Sequence, residues 1–242
     1  MIMSSNILKN VILRMDFLGE IDRSDSILKN LKKVLLNDFP EFETKDMVSL
    51  KMIADQTQRT TEEKRFKSFI FQNKEINNFI TLEPDAIVFD IKKYETYKEF
   101  REIVQKVFQN LEGENSSVKI SRIGLRYINQ IIVKEGNPFE WTGLIKEPLI
   151  CSRHFIEGIN GVRRLMGVLE LNMPDYFIKF QYGWFNSEYP NPIARKEFLL
   201  DYDCSSTNEI NFSSGLISQI DKFHDAIKEL FKNSKFDELD KL

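Results

Sequence analysis

The run SRIGLRYINQI at residues 121–131 constrains the fold more than any other part of this 242-residue chain. Side chains alternate between the two faces of a β-strand. In a strand, Arg122, Gly124 and Arg126 therefore share one face, and the apolar residues between them share the other. The glycine leaves the backbone accessible between the two arginines. The run predicts a strand with one hydrophobic face and one face that carries paired positive charges.

The rest of the pattern predicts an α+β fold. One amphipathic helix begins with a capping box, in which Thr96 and Glu99 satisfy each other's free backbone N–H groups, and Gly113 follows as a stop signal. A closing helix is expected to begin near Ser214. Because runs of several strands separate the helices, we expect a mostly antiparallel sheet with the helices packed on one face. Strands are predicted at residues 10–18, 47–53, 64–72, 78–94, 118–133, 162–171, 176–184 and 196–203, with a further helix that begins at Ser24.

The order of these elements bears on domain organisation. Both halves of the chain run strand, helix, several strands, helix, although no residue-level repeat is visible. The chain is therefore interpreted as a single domain, residues 1–242, with similar halves at residues 1–114 and 115–242. At 42% hydrophobic residues, it has enough apolar material for one large core. The polar stretch at residues 55–63 is expected to form a turn.

Composition argues against several classes of protein. The formal net charge of −3 lacks the basic excess of a dedicated nucleic-acid-binding protein. Cys151 and Cys204 are too far apart for a CxxC pair, so both are expected to be reduced and largely buried. Lys9 and Arg14 interrupt the first apolar stretch, and no window approaches the roughly 18 apolar residues of a membrane helix. These features predict a cytoplasmic protein without membrane contact.

Four stretches resemble, in order, one known family. They are the signature RIGLRYIN at residues 122–129, a strand, turn and helix at residues 80–111, a late strand at residues 197–203 and a final helix at residues 220–239. The chain is similar to an uncharacterised, sporadically distributed prokaryotic family of about the same length. The resemblance implies no particular activity. The scattered distribution is similar to that of mobile or phage-defence-associated genes.

The candidate ligand-binding residues are Arg122, Gly124, Arg126 and Asn129. Arginines four positions apart on an extended strand lie about 13 Å from each other. That distance is too long for both to hold one small carboxylate, but it suits a phosphodiester, a nucleotide or an acidic loop of a partner. Arginine fits this role because its planar guanidinium pairs bidentately with phosphate and carboxylate.

Carboxylates on other predicted strands support two alternative interpretations. Asp201 and Asp203 lie two positions apart and so project to one face of their strand. In the first alternative, these residues or Asp90 form internal ion pairs with the arginines, whose role is then structural. In the second, they join Glu170 to hold Mg²⁺, which favours one or two carboxylates plus water, as in a metal-dependent phosphodiesterase or nuclease.

No serine, cysteine or histidine falls into a known nucleophile motif, and His224 at the edge of an apolar helix face is expected to be packed or hydrogen-bonded. The sequence thus favours a binding or regulatory module over an enzyme, and it predicts no cofactor. The expected partner is a protein or a small anionic ligand, with nucleic acid left open. The metal-dependent nuclease and a component of a toxin–antitoxin pair are the alternatives.

Overall fold

The computed structural model describes residues 7–54, 59–212 and 215–241, in which helices pack on one large antiparallel sheet. The strands, β1 to β10 in chain order, are Leu8–Phe17, Glu41–Ala54, Arg59–Asn73, Asn78–Leu82, Ala86–Ile91, Lys119–Val133, Leu165–Asn172, Phe177–Trp184, Lys196–Ser206 and Ile210–Asn211. The helices, α1 to α5, are Asp25–Leu35, Tyr97–Asn115, Glu147–Ile150, Arg153–Ile156 and Leu216–Ser234, and a 3-10 helix, Asp237–Lys241, follows. The predicted α+β class is confirmed.

Strands β1 and β6 lie next to each other at the centre of the sheet. The order is β2-β3-β4-β5-β1-β6-β9-β8-β7, and the short β10 also pairs with β6. Outward from the centre, each half continues with the last strand of its own meander, β5 in the first half and β9 in the second. In each of the ranges 1–114 and 115–242, a central strand is followed by helix, then by a meander of strands and then by a long helix. The second meander has one strand fewer, so β7 occupies the position of β3 and forms an edge.

The helices pack on the face of the sheet that carries the apolar residues of the central strands. On this core face, Leu13 of β1 lies opposite Leu125 of β6, and both side chains are fully buried. Helix α2 places Phe100 against Phe89 of β5. Helix α5 contributes the buried Phe223, whose ring packs against Tyr176. The predicted packing of both strong helices on one face of the sheet is confirmed.

The two ends of helix α2 show what local sequence predicts well and what it misses. At the start, the Thr96 hydroxyl accepts a hydrogen bond from the backbone N–H of Glu99 at 3.2 Å, as the capping box predicts. The predicted stop at Gly113 is wrong, because the helix continues to Asn115. The Asn115 amide oxygen accepts from the backbone N–H of Asp22 at 2.6 Å. A contact with a segment distant in sequence therefore sets where the helix ends.

The predicted turn at residues 55–63 is shorter than expected. Residues 59–63 belong to β3, whose ladder with β2 extends to the pair Ala54↔Arg59. Residues 55–58 lie outside the described residues, as does Ser214, the expected start of the last helix. Strand β4 pairs only with residues 69–73 of β3, so the outer part of the β2–β3 hairpin is a two-stranded ribbon. Consecutive side chains at residues 44–50 are exposed, so this part of the ribbon lacks the alternation that marks a half-buried strand.

The two cysteines differ in burial. Cys204 on β9 is buried, and this burial raises the pKa of its thiol to about 12. Cys151 is exposed between the short helices α3 and α4, so the expectation that both thiols are largely buried is wrong for Cys151.

None of the helices in the described ranges has the length and apolar character that crossing a membrane requires.

Replacing Phe100 or Phe223 with alanine tests the packing of the two helices. Each change should lower the free energy of unfolding by about 3 to 5 kcal/mol, because it empties a large buried site. Phe155, with 83% of its surface exposed, is a matched control whose replacement should cost less than about 0.5 kcal/mol. Urea denaturation measures all three. A loss below about 1 kcal/mol for either core variant would contradict burial of its helix.

Candidate functional site

The predicted arginines lie on the face of the sheet opposite the helices, here called the open face. Arg122, Gly124 and Arg126 alternate with buried apolar residues along β6 and share this face, as predicted. Asp203 of β9 is directly opposite Arg126, and Arg14 of β1 is directly opposite Gly124. The open face therefore concentrates charged side chains on its three central strands.

Arg126 forms the strongest ion pair on the open face. Its Nε donates to Oδ1 of Asp201 at 2.8 Å and its Nη2 donates to Oδ2 at 2.6 Å, which is the bidentate geometry of a charge-assisted pair. Asp201 is buried, and these hydrogen bonds raise the pKa of Arg126. The internal ion pair considered as the structural alternative is therefore present for Arg126. Its guanidinium group holds β6 to β9.

Arg122 is held much more weakly. Its Nη1 lies 3.4 Å from Oδ2 of Asp16, and 42% of its side chain is exposed. The same Asp16 carboxylate already accepts a 2.8 Å hydrogen bond from Nε of Arg14. An added Cβ at Gly124 would lie 3.7 Å from Nη2 of Arg122, so the arginine side chain extends over the glycine. A Cβ at this distance would make an ordinary contact, so the Arg122 side chain does not require a glycine at position 124.

Asp203 adds an acceptor to the open face. Burial raises the pKa of its carboxyl group, while the positive charges of Arg126, Arg122 and the cross-strand Lys179 act in the opposite direction. Within the described part of the chain, its carboxylate forms neither a hydrogen bond nor an ion pair shorter than 4.0 Å. A guanidinium donor and a carboxylate acceptor are therefore both available to a ligand on adjacent strands.

Asn129 does not belong to this site. It lies on the core face, where its side chain is fully buried and its amide nitrogen donates to the carbonyl oxygen of Leu200 at 3.1 Å. It lies three positions after Arg126, and an odd spacing along a strand places two side chains on opposite faces. The prediction of Asn129 as a ligand-binding residue is wrong. The alternation that identified the arginine face was sufficient to exclude it.

The structure does not bring together the three residues of the alternative metal site. Glu170 lies on β7, with Lys179 of β8 between it and Asp203 of β9. Both oxygens of Asp201 are already bound by Arg126. Across residues 7–54, 59–212 and 215–241, no group of three or more histidine, cysteine, aspartate or glutamate side chains is arranged to hold a metal ion.

Sequence reasoning missed Arg14 as a member of the open face. Because β1 and β6 are antiparallel and Leu13 lies opposite Leu125, the two strands are related by an approximate two-fold axis. This axis makes Arg14 the equivalent of Arg126, since each follows the leucine at the centre. Residues 11–15, VILRM, and residues 123–127, IGLRY, share this Leu-Arg pair. Two shared residues are too few to reveal this equivalence without the pairing of the two strands.

A second polar cluster lies on the core face between α2 and α5. The Tyr127 hydroxyl and Nδ1 of His224 are 3.1 Å apart, and the Tyr97 ring stacks on the histidine at 3.7 Å. The Tyr97 hydroxyl donates to Asp221, which also accepts from Nε of Arg101 at 2.8 Å. Burial lowers the pKa of His224 to about 4. The packed, hydrogen-bonded role predicted for His224 is confirmed, and the cluster joins the two helices.

A surface cavity of about 370 Å³ beside α4 is one of several cavities in the described part of the chain. Its lining includes Arg153, whose Nη1 contacts Glu140 at 3.0 Å and whose Nη2 contacts Glu147 at 3.6 Å. Two carboxylates thus surround the one arginine. The cavity offers less unsatisfied positive charge than the open face.

Comparison with known proteins does not identify a family for the chain, since neither a scan of protein-family models nor a search of curated proteins finds a match. The resemblance of the RIGLRYIN signature therefore stays a prediction from the sequence. The functional argument depends on the geometry of the open face.

Arginine-to-glutamine variants separate the structural arginine from the weakly held one. Arg126→Gln should lower the free energy of unfolding by about 3 kcal/mol, because it leaves the buried Asp201 carboxylate without its cation. Arg122→Gln should lower it by less than about 1 kcal/mol, because an exposed ion pair contributes little. Urea denaturation provides the comparison. Equal losses in the two variants would contradict the assignment of different roles.

The depressed pKa of His224 predicts a pH dependence of stability. Between pH 6.5 and about 4, the unfolded chain binds a proton that the folded chain does not, so the free energy of unfolding should fall as pH falls through this range. His224→Gln should flatten this dependence. His154→Gln, at an exposed histidine, is the matched control and should leave it unchanged. Urea melts at a series of pH values would refute the role of His224 if its replacement left the slope intact.

Proposed function

We propose that this chain is a cytoplasmic binding module that holds an anionic group of a small ligand or a partner protein on the open face, at Arg122. The observation that carries the proposal is the weak internal pairing of Arg122. It lies at the centre of the sheet, is partly exposed and shares its one carboxylate partner with Arg14.

The pairing of the arginines supports an anionic ligand. On the central strands, Arg14 pairs with Asp16 and Arg126 pairs with Asp201 through short hydrogen bonds. Arg122 is the arginine of these strands with the longest ion-pair distance, and its guanidinium fork suits a phosphate or carboxylate. An anion at this position would lie near the Asp203 carboxylate, which is able to accept a hydrogen bond from a donor on the same ligand.

The same charges favour a discrete anionic group over a nucleic-acid strand. Binding to a phosphate backbone depends on neutralising many successive phosphates with lysine and arginine. On the open face, Asp16, Asp201 and Asp203 lie among the arginines and would repel a continuous polyanion. A carboxylate or phosphate on a small molecule or a protein surface contacts Arg122 without approaching all three.

Calorimetric titration with pyrophosphate, ATP and a polyglutamate peptide tests the proposal. At least one probe should bind, and Arg122→Gln should weaken that binding by about tenfold or more, since one charge-assisted bidentate pair is lost. Arg65→Gln removes an exposed arginine from the β2–β3 ribbon and is the charge-matched control. Its affinity should equal that of the unmodified protein.

Two results would contradict the proposal. One is the absence of binding by all three probes at low salt. The other is a loss of affinity of the same size in the Arg65 and Arg122 variants, which would indicate a general effect of net charge. Thermal melts of both variants establish that the fold is intact.

A further inference from the structure

The outer edge of β7 is unprotected. Strand β7 pairs with β8 along Leu165–Asn172, and no strand in the described ranges pairs with its other edge. Its sequence, LMGVLELN, contains a single charged residue, Glu170. Val168 is 54% exposed on the open face, and Leu169 is 43% exposed on the core face. An apolar edge strand with free backbone groups is a template for pairing with another strand.

The opposite edge of the sheet is built differently. Strand β2 carries charged residues on both faces, which is one of the devices by which natural edges avoid unwanted pairing. These residues are Glu41, Glu43, Lys45 and Asp46. Met47, Val48 and Leu50 of β2 are exposed as well, so the two edges differ in the charged residues at 41–46, which β7 lacks apart from Glu170.

The repeat gives a second, independent reason to expect a strand beside β7. Counting outward from the central pair, β7 in the second half occupies the position of β3 in the first half. Strand β3 is covered along its length by β2. The second half places the short helices α3 and α4 in the corresponding part of the chain. One more strand beside β7 would give the two halves equal strand numbers.

A row of alternating charges indicates what that strand should carry. Across the open face, Arg126 lies opposite Asp203, Asp203 opposite Lys179, and Lys179 opposite Glu170. Opposite charges on directly paired residues stabilise neighbouring strands, and like charges destabilise them. The row ends at the exposed Glu170 on the edge. The next residue in the row should therefore be a cation.

We propose that the outer edge of β7 binds an extended segment of a partner protein by strand addition, with a lysine or arginine of that segment opposite Glu170. Main-chain hydrogen bonds to the free edge supply affinity, and the side chains at alternate positions supply specificity. Apolar residues of the segment, two positions from the cation, lie against Val168. This site is separate from Arg122, so either can fail without the other.

A second copy of this chain fits the edge less well. In a symmetric pairing of two β7 strands, Glu170 would face another β7 residue, and β7 contains neither lysine nor arginine. Pairing of β7 with β2 of another copy is heterologous and leads to open-ended assemblies. The symmetric pairing thus leaves Glu170 without a cation opposite it, and the heterologous pairing does not form a closed dimer.

Fluorescence anisotropy with two short labelled peptides tests the inference. Both alternate valine and threonine, and their central residue is lysine in one and glutamate in the other. The unmodified protein should bind the lysine peptide about tenfold more tightly, and Glu170→Lys should reverse the preference. Glu75→Lys makes the same charge change in the exposed turn before β4 and should keep the original preference. Amide hydrogen exchange in β7 should slow when the lysine peptide is bound.

Three outcomes would overturn the proposal. One is the absence of binding of either peptide up to about 1 mM. Another is a preference that Glu170→Lys and Glu75→Lys change equally. The third is a dimer in sedimentation that Val168→Lys dissociates, which would assign the edge to a second copy of the chain.

Discussion

The pairing of β1 with β6 is the constraint on which the rest of the structure depends. It joins strands more than a hundred residues apart, from Leu8↔Asn129 to Phe17↔Ile120, and it unites the two meanders in one sheet. Its register puts Leu13 opposite Leu125 on the core face and Arg14 opposite Gly124 on the open face. A slip of one residue would move every side chain of one strand to the other face. Core and candidate site are thus set by the same ladder.

Residues of the RIGLRYIN signature have different roles on the two faces of this ladder. On the core face, its Tyr127 joins the His224 cluster under α2 and α5. On the open face, Arg126 is bound to the buried Asp201, and the Arg122 side chain extends over Gly124. This signature therefore contributes Tyr127 to the core, links β9 to β6 through Arg126 and contains the weakly paired Arg122. The structural interpretation holds for Arg126, and the proposed binding role concerns Arg122 alone.

Alternation along a strand was the most reliable guide from the sequence. It placed Arg122, Gly124 and Arg126 on one face, and it contained the reason to exclude Asn129, whose odd spacing puts it in the core. The ion-pair partners were not predictable to the same degree. Asp201 is diagonal to Arg126, whereas Asp203, directly opposite, has no such bond. The choice between them depends on burial and side-chain reach, which spacing along the chain does not encode.

The sequence by itself determined the α+β class, the strand character of residues 118–133 and the capped start of α2 at Thr96, because these depend on periodicity and on hydrogen bonds between near neighbours. The tertiary structure decided the end of α2 at Asn115, the equivalence of Arg14 with Arg126 and the exposure of the β7 edge. Each of these depends on which distant segment lies alongside. Strand pairing between distant residues is selected by the packing of the whole core, and that selection leaves little trace in any one stretch of the chain.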